Sequence, residues 1–151
     1  MNDKIRVLLS EEEVAKRIKE MGDVISSDYE GRPLHLICIL KGGVFFTCEL
    51  AKRISLPLTL DFMSVSSYGA GTVSSGIVKI VKDLDEPIEG KDVLIVEDII
   101  DSGNTLSYLI EVLKQRNPRS IELCTLLDKP ERRVKKQVTV KYTCFTVPDQ
   151  F

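Results

Sequence analysis

The sequence predicts an α/β fold built on a twisted, mostly parallel sheet flanked by helices. Segments patterned as strands alternate along the chain with segments of helical spacing, an order typical of parallel sheets. The runs 34–40 and 93–96 are almost continuously apolar, as strands buried on both faces are. A chain of 151 residues is long enough to bury one core and shows no internal repeat, so we expect a single domain over 1–151.

The first half of the chain predicts two helices and three strands. Ser10 followed by Glu13 forms a capping box, and apolar residues recur behind it at helical spacing. Pro33 and Gly42 bound the first apolar run, and Pro57 ends a helix before the next strand. In order, the predicted elements are a helix over 11–27, a strand over 34–40, a helix over 44–54, a strand over 58–65 and a strand over 77–82.

A long loop separates the last two of these strands. Residues 66–76 are small, polar and rich in glycine, which is typical of a mobile functional loop rather than a tight turn. Gly69 and Gly71 do not begin a dinucleotide-binding fingerprint, because Ser74 stands where the third glycine is needed.

The second half of the chain predicts three strands and one helix. Asp85, Pro87 and Gly90 mark a turn before the most apolar strand, and the pair 117–118, Asn-Pro, marks the turn after the helix. In order, the predicted elements are a strand over 93–96, a helix over about 104–115, a strand over 121–127 and a last strand near 138–146. The charged stretch 131–141 is expected to be a solvated connection.

Composition excludes several classes of protein. The 43% apolar and 29% charged residues are those of an ordinary globular domain. A net charge of -2 provides no uniform basic face, so sequence-independent nucleic-acid binding is not expected. Neither a membrane helix of about 20 apolar residues nor the apolar core of a signal peptide is present, so a cytoplasmic location is expected.

The cysteines and the histidine do not indicate disulfides or a histidine metal site. The four cysteines form no C-x-x-C pair, and Cys38 and Cys124 lie inside apolar runs, so reduced thiols are expected. The single histidine, His35, lies between Leu34 and Leu36 and is expected in the core.

Three strand ends carry the candidate chemistry, because ligands of an open parallel sheet bind beyond the carboxyl ends of its strands. At the first of these, Glu97 and Asp98 close the most apolar strand, and Asp101 starts a loop that opens a helix. The two adjacent carboxylates can accept hydrogen bonds from sugar hydroxyls or hold a hydrated divalent cation.

The loop after these acids has the composition of an anion site. Ser102, Gly103, Asn104 and Thr105 offer backbone N–H groups and hydroxyls at a helix N-terminus, where phosphate is favoured. Helix capping by Asp101 or Ser102 would explain one residue of the run but not the whole of it.

Two further strand ends are less specific as bare motifs. The turn Leu40, Lys41, Gly42, Gly43 can meet a second anion, but the lysine precedes the glycines, so a Walker phosphate loop is excluded. Lys129 follows the strand 121–127 and, taken by itself, is better explained as a solvated loop charge than as a binding residue.

The run from Glu97 to Thr105 closely resembles the ribose-5-phosphate signature of type I phosphoribosyltransferases. The resemblance implies that Ser102–Thr105 bind the 5'-phosphate, with Glu97 and Asp98 on the ribose and on Mg²⁺, directly or through water. Asp101 becomes the carboxylate at the purine N7, acting as general base or orienter. Leu40, Lys41, Gly42 and Gly43 become the pyrophosphate loop, in which relatives often carry a cis peptide, here Leu40–Lys41.

Other segments resemble the hypoxanthine-guanine branch of this family. Lys129 would donate to the exocyclic oxygen of a 6-oxopurine, which adenine lacks. Ser67 and Tyr68 would belong to the mobile loop, closing over the substrate, and Phe151 would stack on the purine. Arg133 would approach the pyrophosphate.

The implied reaction is transfer of a phosphoribosyl group from 5-phosphoribosyl 1-pyrophosphate (PRPP) to hypoxanthine or guanine, with Mg²⁺ as cofactor. A homodimer or homotetramer is expected, with a small hood from the termini that stops short after Phe151, where relatives continue. The alternative is a non-catalytic regulator that senses PRPP or a nucleotide and binds RNA. Only the basic run 132–141 favours this alternative, whereas the net charge of -2 and the purine-type Lys129 count against it.

Overall fold

The computed structural model describes residues 9–67, 78–134 and 138–149. These ranges contain a six-stranded sheet with helices on both faces. The helices are α1 (Glu11–Asp28), α2 (Val44–Ala51) and α3 (Asn104–Lys114), and a short 3-10 turn spans Pro130–Arg132. The strands are β1 (Leu34–Leu40), β2 (Leu58–Ser67), β3 (Val78–Lys82), β4 (Asp92–Ile100), β5 (Ser120–Asp128) and β6 (Tyr142–Thr146).

The sheet has the strand order β3-β2-β1-β4-β5-β6. Every neighbouring pair is parallel except β2 and β3, which are antiparallel. The expectation of an α/β fold with a mostly parallel sheet is therefore confirmed. The carboxyl ends of β1, β4 and β5 meet at one edge, called here the carboxyl edge, and their first residues form the opposite amino edge.

Two apolar layers hold the helices against the sheet. Leu34 and Leu36 of β1 belong to the layer beneath α1 and α2, whereas Ile37 and Ile39 belong to the layer beneath α3. Since successive side chains of a strand point to opposite faces, a strand covered on both sides must be apolar throughout. This is why the central strands appear in the sequence as continuous apolar runs.

The first helix begins as its sequence predicts. The Ser10 hydroxyl accepts a hydrogen bond from the Glu13 N–H at 3.1 Å and donates one to the Glu13 carboxylate at 3.2 Å. Ile18, Met21 and Ile25 lie buried on the face that meets the sheet. This cap saves one N–H from remaining unpaired and is typically worth about 1 kcal/mol.

Several element bounds differ from those expected. α2 ends at Ala51 rather than at 54, because its last turn tightens, with the Arg53 N–H bonded to the Leu50 carbonyl at 2.9 Å. β6 begins at Tyr142 rather than near 138, since Tyr142 is the first residue in register with β5, opposite Cys124. β2 reaches Ser67, and residues 68–77, most of the predicted mobile loop, lie outside the described ranges.

The cysteines and His35 occupy the environments that the sequence predicts. All four cysteines are free, and Cys38, Cys124 and Cys144 are buried. His35 is 3% exposed, and burial, followed by the charge of Lys91, lowers its pKa. In the described part of the chain, no helix has the length and apolar character needed to cross a membrane.

Candidate active site

The last residues of β4 extend beyond β1. Pairing between β1 and β4 ends at Cys38 opposite Val96, whereas pairing between β4 and β5 continues to Ile100 opposite Asp128. Glu97 and Asp98 therefore lie inside β4 and do not close it, which corrects the sequence expectation. The longer strand arises because β5 still supplies hydrogen-bond partners on one side.

The two acids face opposite sides of the sheet, as adjacent strand residues do. Glu97 lines a cavity with the loop that follows β4. Asp98 faces the turn after β1, since a β-carbon placed on Gly42 would lie 3.9 Å from the Asp98 Cβ. Glu97 therefore belongs to the loop after β4 and Asp98 to the turn after β1. The two carboxylates do not form one cluster.

The cavity beside Glu97 has a volume of about 180 Å³ and gathers most of the predicted phosphate residues. Its lining consists of Glu97, Ile99, Ile100, Asp101, Ser102, Gly103, Thr105 and Leu106. Asn104 is the first residue of α3, and its N–H bonds to the Ser102 hydroxyl at 3.3 Å.

Gly103 starts the helix in a conformation that side chains disfavour. It is the N-cap of α3 with φ of 82°, so neither Asp101 nor Ser102 occupies the cap position. Glycine adopts this left-handed conformation without steric cost. Capping by the Ser102 hydroxyl accounts for one N–H group of α3, that of Asn104, but not for the rest of the loop, and the helix N-terminus faces the cavity.

The carboxyl groups of β4 are poorly compensated in this state. Burial first, and then the charge of Asp98, raise the pKa of Glu97 to about 8. Burial also raises the pKa of Asp98. A bound cation or a set of hydroxyl donors would relieve both groups.

The carboxylates of β4 can contribute to a Mg²⁺ site only together with other ligands. Across the described residues, no group of three or more His, Cys, Asp or Glu side chains is placed to hold a metal ion. Mg²⁺ commonly takes one or two carboxylates and fills its remaining positions with water and substrate phosphate oxygens. Because they face opposite sides of the sheet, Glu97 and Asp98 each suit such a substrate-borne ion singly, directly or through its water, rather than as parts of a cage made entirely of protein.

The turn between β1 and α2 is close to backbone on two sides. The Leu40–Lys41 peptide is cis, as the family resemblance implies. A β-carbon on Gly43 would lie 3.1 Å from the carbonyl oxygens of Ile39 and Val96, so only glycine fits without displacing them. Lys41 and Gly42 are exposed at the carboxyl edge, where an anion can reach them.

Lys129 leaves β5 at the same edge. Its N–H bonds to the Ile100 carbonyl at 3.0 Å, and its ammonium group donates to the Asp149 carbonyl at 3.4 Å. Lys129 is thereby brought next to the chain segment that leads to Phe151. Phe151 and Tyr68 lie outside the described ranges, so their predicted roles remain predictions.

Arg133 has partners that the sequence does not indicate. Its guanidinium is ion-paired with Asp128 and donates through Nε to the Asp101 carbonyl at 3.1 Å. Asp128 was overlooked by sequence reasoning because a conformation-dependent contact across a turn leaves no periodic signal. Within the described residues, Arg133 is engaged with protein groups behind the loop.

A cavity larger than the one beside Glu97 lies at the opposite edge of the sheet. It measures about 410 Å³ at the amino edge and is lined largely by apolar residues and backbone near His35 and Asp92. Polar chemistry, rather than cavity volume, therefore singles out the carboxyl edge.

Comparison with known proteins agrees with this geometry. The model of the phosphoribosyl transferase domain matches residues 7–151. The hypoxanthine-guanine phosphoribosyltransferase of Bacillus subtilis is 51% identical over 146 residues, covering 97% of this chain and 81% of that protein. The bifunctional protein TilS/HprT of Listeria monocytogenes is 50% identical over 150 residues, covering 99% of this chain, which spans only 23% of that longer protein.

Solved structures show the same likeness. The crystal structure of a hypoxanthine-guanine phosphoribosyltransferase from Bacillus anthracis, with a HEPES molecule in its active site, superposes with a TM-score of 0.90 at 45% identity. The match covers 95% of this chain and 84% of that one. Since the family model and near-full-length relatives of about half-identical sequence agree with the fold and the loop, the chain belongs to the phosphoribosyltransferase family, in its hypoxanthine-guanine branch.

Proposed function

We propose that the chain transfers the 5-phosphoribosyl group of PRPP to hypoxanthine or guanine, producing IMP or GMP and pyrophosphate. The observation that carries the proposal is the convergence of three features at the carboxyl edge. These are the loop after β4, the Lys41–Gly43 turn and Lys129. The proposal is supported by near-full-length relatives that are hypoxanthine-guanine phosphoribosyltransferases.

The loop after β4 is assigned to the 5'-phosphate of PRPP. Its N–H groups and hydroxyls surround a cavity several times larger than the roughly 30 Å³ that one water occupies in the liquid. The helix N-terminus adds favourable potential for an anion. Lys41 and the Gly42–Gly43 backbone, beyond Asp98, are assigned to the pyrophosphate.

Bond exchange takes place at C1' of the ribose. The purine N9 lone pair forms the new bond to C1' as the bond from C1' to the pyrophosphate oxygen breaks, and the pyrophosphate leaves with that electron pair. Positive charge accumulates on the ribose between these events, so alignment of the reactants and stabilisation of the leaving anion supply most of the catalysis.

Asp101 is assigned to the purine N7. Its side chain is exposed at the mouth of the cavity, where an incoming base can reach it. As a carboxylate it accepts the proton that the purine loses, or holds the N7–H tautomer in position for attack through N9. Lys129 donates to the exocyclic oxygen, which selects 6-oxopurines over adenine.

Glu97 and Asp98 are the residues that would hold Mg²⁺ together with PRPP oxygens. The ion supplies neutralisation of the pyrophosphate charge when bound. Closure of the loop that follows β2, with Tyr68, over the site and stacking of Phe151 on the base complete the proposed arrangement and exclude water. Ser67 lies at the end of β2, opposite Val78, and would form the base of that loop.

The assembly and location of the enzyme are also proposals. The homodimer or homotetramer is the assembly that the family resemblance implies, and the side chain of Phe45, 84% exposed in the first turn of α2, is one that such packing would cover. Light scattering coupled to size exclusion tests this. The four free cysteines suit the reducing cytoplasm.

The decisive assay offers PRPP and Mg²⁺ with hypoxanthine, guanine, xanthine, adenine or uracil in separate reactions, and separates the products by chromatography. We expect nucleotide from hypoxanthine and guanine and none from adenine or uracil. If the protein binds PRPP but forms no nucleotide with any base, the proposed enzymatic activity is excluded and a regulatory protein is favoured. Salt-sensitive RNA binding would then identify the regulator.

A further inference from the structure

We infer that Arg133 is a positioning residue that turns the peptide groups of the phosphate loop, so that the N–H groups of Ser102 and Gly103 face the cavity. The inference rests on the proposed function, because it assigns the cavity to the 5'-phosphate. It concerns the orientation of backbone donors and involves no contact between Arg133 and substrate.

Two hydrogen bonds hold the back of the loop. Arg133 Nε donates to the Asp101 carbonyl at 3.1 Å, and the next residue, Val134, donates its N–H to the Ser102 carbonyl at 2.8 Å. The donors are consecutive along one segment and the acceptors are consecutive along the other. The two segments therefore lie against each other over two successive peptide groups.

These two hydrogen bonds fix the orientation of the peptide groups, because a trans peptide is planar. In a trans peptide the C=O and N–H vectors point in opposite directions. The Asp101 carbonyl shares its peptide with the Ser102 N–H, and the Ser102 carbonyl shares its peptide with the Gly103 N–H. Ser102 and Gly103 line the cavity, whereas Arg133 and Val134 do not, so carbonyls held outward leave N–H groups directed inward.

Asp128 fixes the position of the arginine. It is the last residue of β5 and lies opposite Ile100, so the sheet itself places its carboxylate beneath the loop. The Arg133 and Asp128 side chains are only 12% and 13% exposed. A pair this buried has little conformational freedom, and loss of one partner would leave the other charge poorly compensated.

The loop packs directly on the arginine. A β-carbon on Gly103 would lie 3.1 Å from the Arg133 Cδ. Gly103 is thus the point at which the left-handed turn and the arginine side chain meet, and the arginine reaches both Asp128 and Asp101 from this position.

The two tasks require an arginine. Its planar guanidinium donates through Nη2 to Asp128 and through Nε to the Asp101 carbonyl at once. A lysine can keep the ionic pair but has no second donor fixed in that geometry. Arg133→Lys therefore separates the orientation of the loop from the burial of charge.

A second arginine–aspartate ion pair provides a matched control for the Arg133→Lys substitution. Arg116 donates to both carboxylate oxygens of Asp83, at 2.7 and 2.8 Å, beyond the far end of α3. Arg116→Lys makes the same chemical change at a pair whose side chains are 34% and 48% exposed. Its KM and kcat values are expected to equal those of the wild type.

The experiment measures KM for PRPP and for hypoxanthine, kcat, and melting temperature for the wild type, R133K and R116K. For R133K we expect KM for PRPP to rise by roughly tenfold, with KM for hypoxanthine changed by less than about twofold. An unchanged KM for PRPP overturns the inference. A lower kcat and melting temperature with both KM values unchanged would show a purely structural role and also overturn it.

A binding measurement keeps this inference separate from the proposed function. Titration of inorganic phosphate is followed through the backbone amide signals of Ser102 and Gly103. We expect shifts in the wild type that are weakened in R133K, even if the wild type forms no nucleotide with any base. Absence of shifts in the wild type, or equal shifts in both proteins, overturns the inference.

A second variant covers the case in which R133K does not fold. Asp128→Asn removes the ionic partner but leaves Arg133 free to donate to the Asp101 carbonyl. We expect KM for PRPP to rise by roughly threefold. An unchanged KM for PRPP in folded D128N would overturn the role of the pair.

Discussion

The two edges of the sheet contrast in how their carboxylates are compensated. At the amino edge, Asp92 is 4% exposed and is paired, accepting from the Ser120 hydroxyl at 2.7 Å and from Arg32 at 3.4 Å. At the carboxyl edge, burial raises the pKa values of Glu97 and Asp98. Of the two cavities beside these carboxylates, the one at Asp92 measures about 410 Å³ and the one at Glu97 about 180 Å³.

This contrast shows that a candidate binding site is identified by buried charged groups that lack a partner within the protein. Asp92 has its compensation within the protein, so it contributes to folding and needs no ligand. Within the described residues, no partner of this kind reaches the acids of β4, which leaves them available to a ligand. Variants at the two edges should therefore separate stability from activity.

The largest expected effect is on turnover at the carboxyl edge. Asp101→Asn should lower kcat by roughly 100-fold or more, because the amide cannot accept the purine proton as a carboxylate does. Binding of PRPP should be nearly unchanged. Steady-state kinetics measure both, with the exposed residue Asp23 of α1, as Asp23→Asn, for comparison. Wild-type kcat in D101N would exclude the proposed role.

The next largest effect is expected at the amino edge, where a substitution should change stability but not activity. Asp92→Asn should lower the free energy of unfolding by about 2 kcal/mol, because buried donors lose a charged acceptor. Its kcat and KM values should match the wild type. Asp83→Asn, at the exposed pair with Arg116, should cost less than about 1 kcal/mol. Denaturant unfolding gives both values, and equal losses would remove the contrast between buried and exposed pairs.

Base selection should respond to Lys129. Lys129→Ala should raise KM for hypoxanthine and guanine by roughly tenfold, since a donor to the exocyclic oxygen is lost. Affinity for PRPP, measured by calorimetry, should stay within about twofold. The exposed Lys114 on α3 provides the control, as Lys114→Ala. If PRPP and purine binding weaken equally, Lys129 does not act on the base.

The last effect is a pH dependence of stability, which is confined to the protein without ligand. The pKa of Glu97 is raised in the folded state to about 8, so the folded protein holds this proton more tightly than the unfolded chain. The stability due to this group is therefore present at pH 5 and is lost as the pH rises towards 8.

Glu97→Gln removes this dependence. We expect it to match the wild type near pH 5 and to be more stable by several kcal/mol near pH 8.5, since each unit by which the pKa is raised corresponds to about 1.4 kcal/mol. Thermal melts at both pH values measure the difference, with Glu20→Gln on the exposed face of α1 as control. A difference that shrinks as the pH rises would mean that the Glu97 carboxylate is compensated.

Much of the fold was predictable because the signals are local. The Ser10 cap, the apolar runs of β1 and β4, and the left-handed Asn117 before Pro118 each depend on neighbours in the sequence. The bounds of α2 and β6 were not predictable to the residue, since a tightened turn and a register with β5 decide them.

The candidate site divides in the same way. The loop Asp101–Thr105 is contiguous, so its anion-binding character is visible in the sequence. The separation of Glu97 from Asp98 by the sheet was not visible, because it requires β4 to continue as a strand beyond β1.

The sequence by itself determined the order of strands and helices along the chain, the buried character of the central strands and the contiguous residues of the loop Asp101–Thr105, because these follow from short-range periodicity and backbone preference. The tertiary structure alone decided which groups remain unsatisfied and how the loop is held. Arg133 meets Asp101 and Asp128 only after β4 and β5 pair. Such contacts depend on which strands are neighbours, and strand neighbours are set by the packing of the whole core.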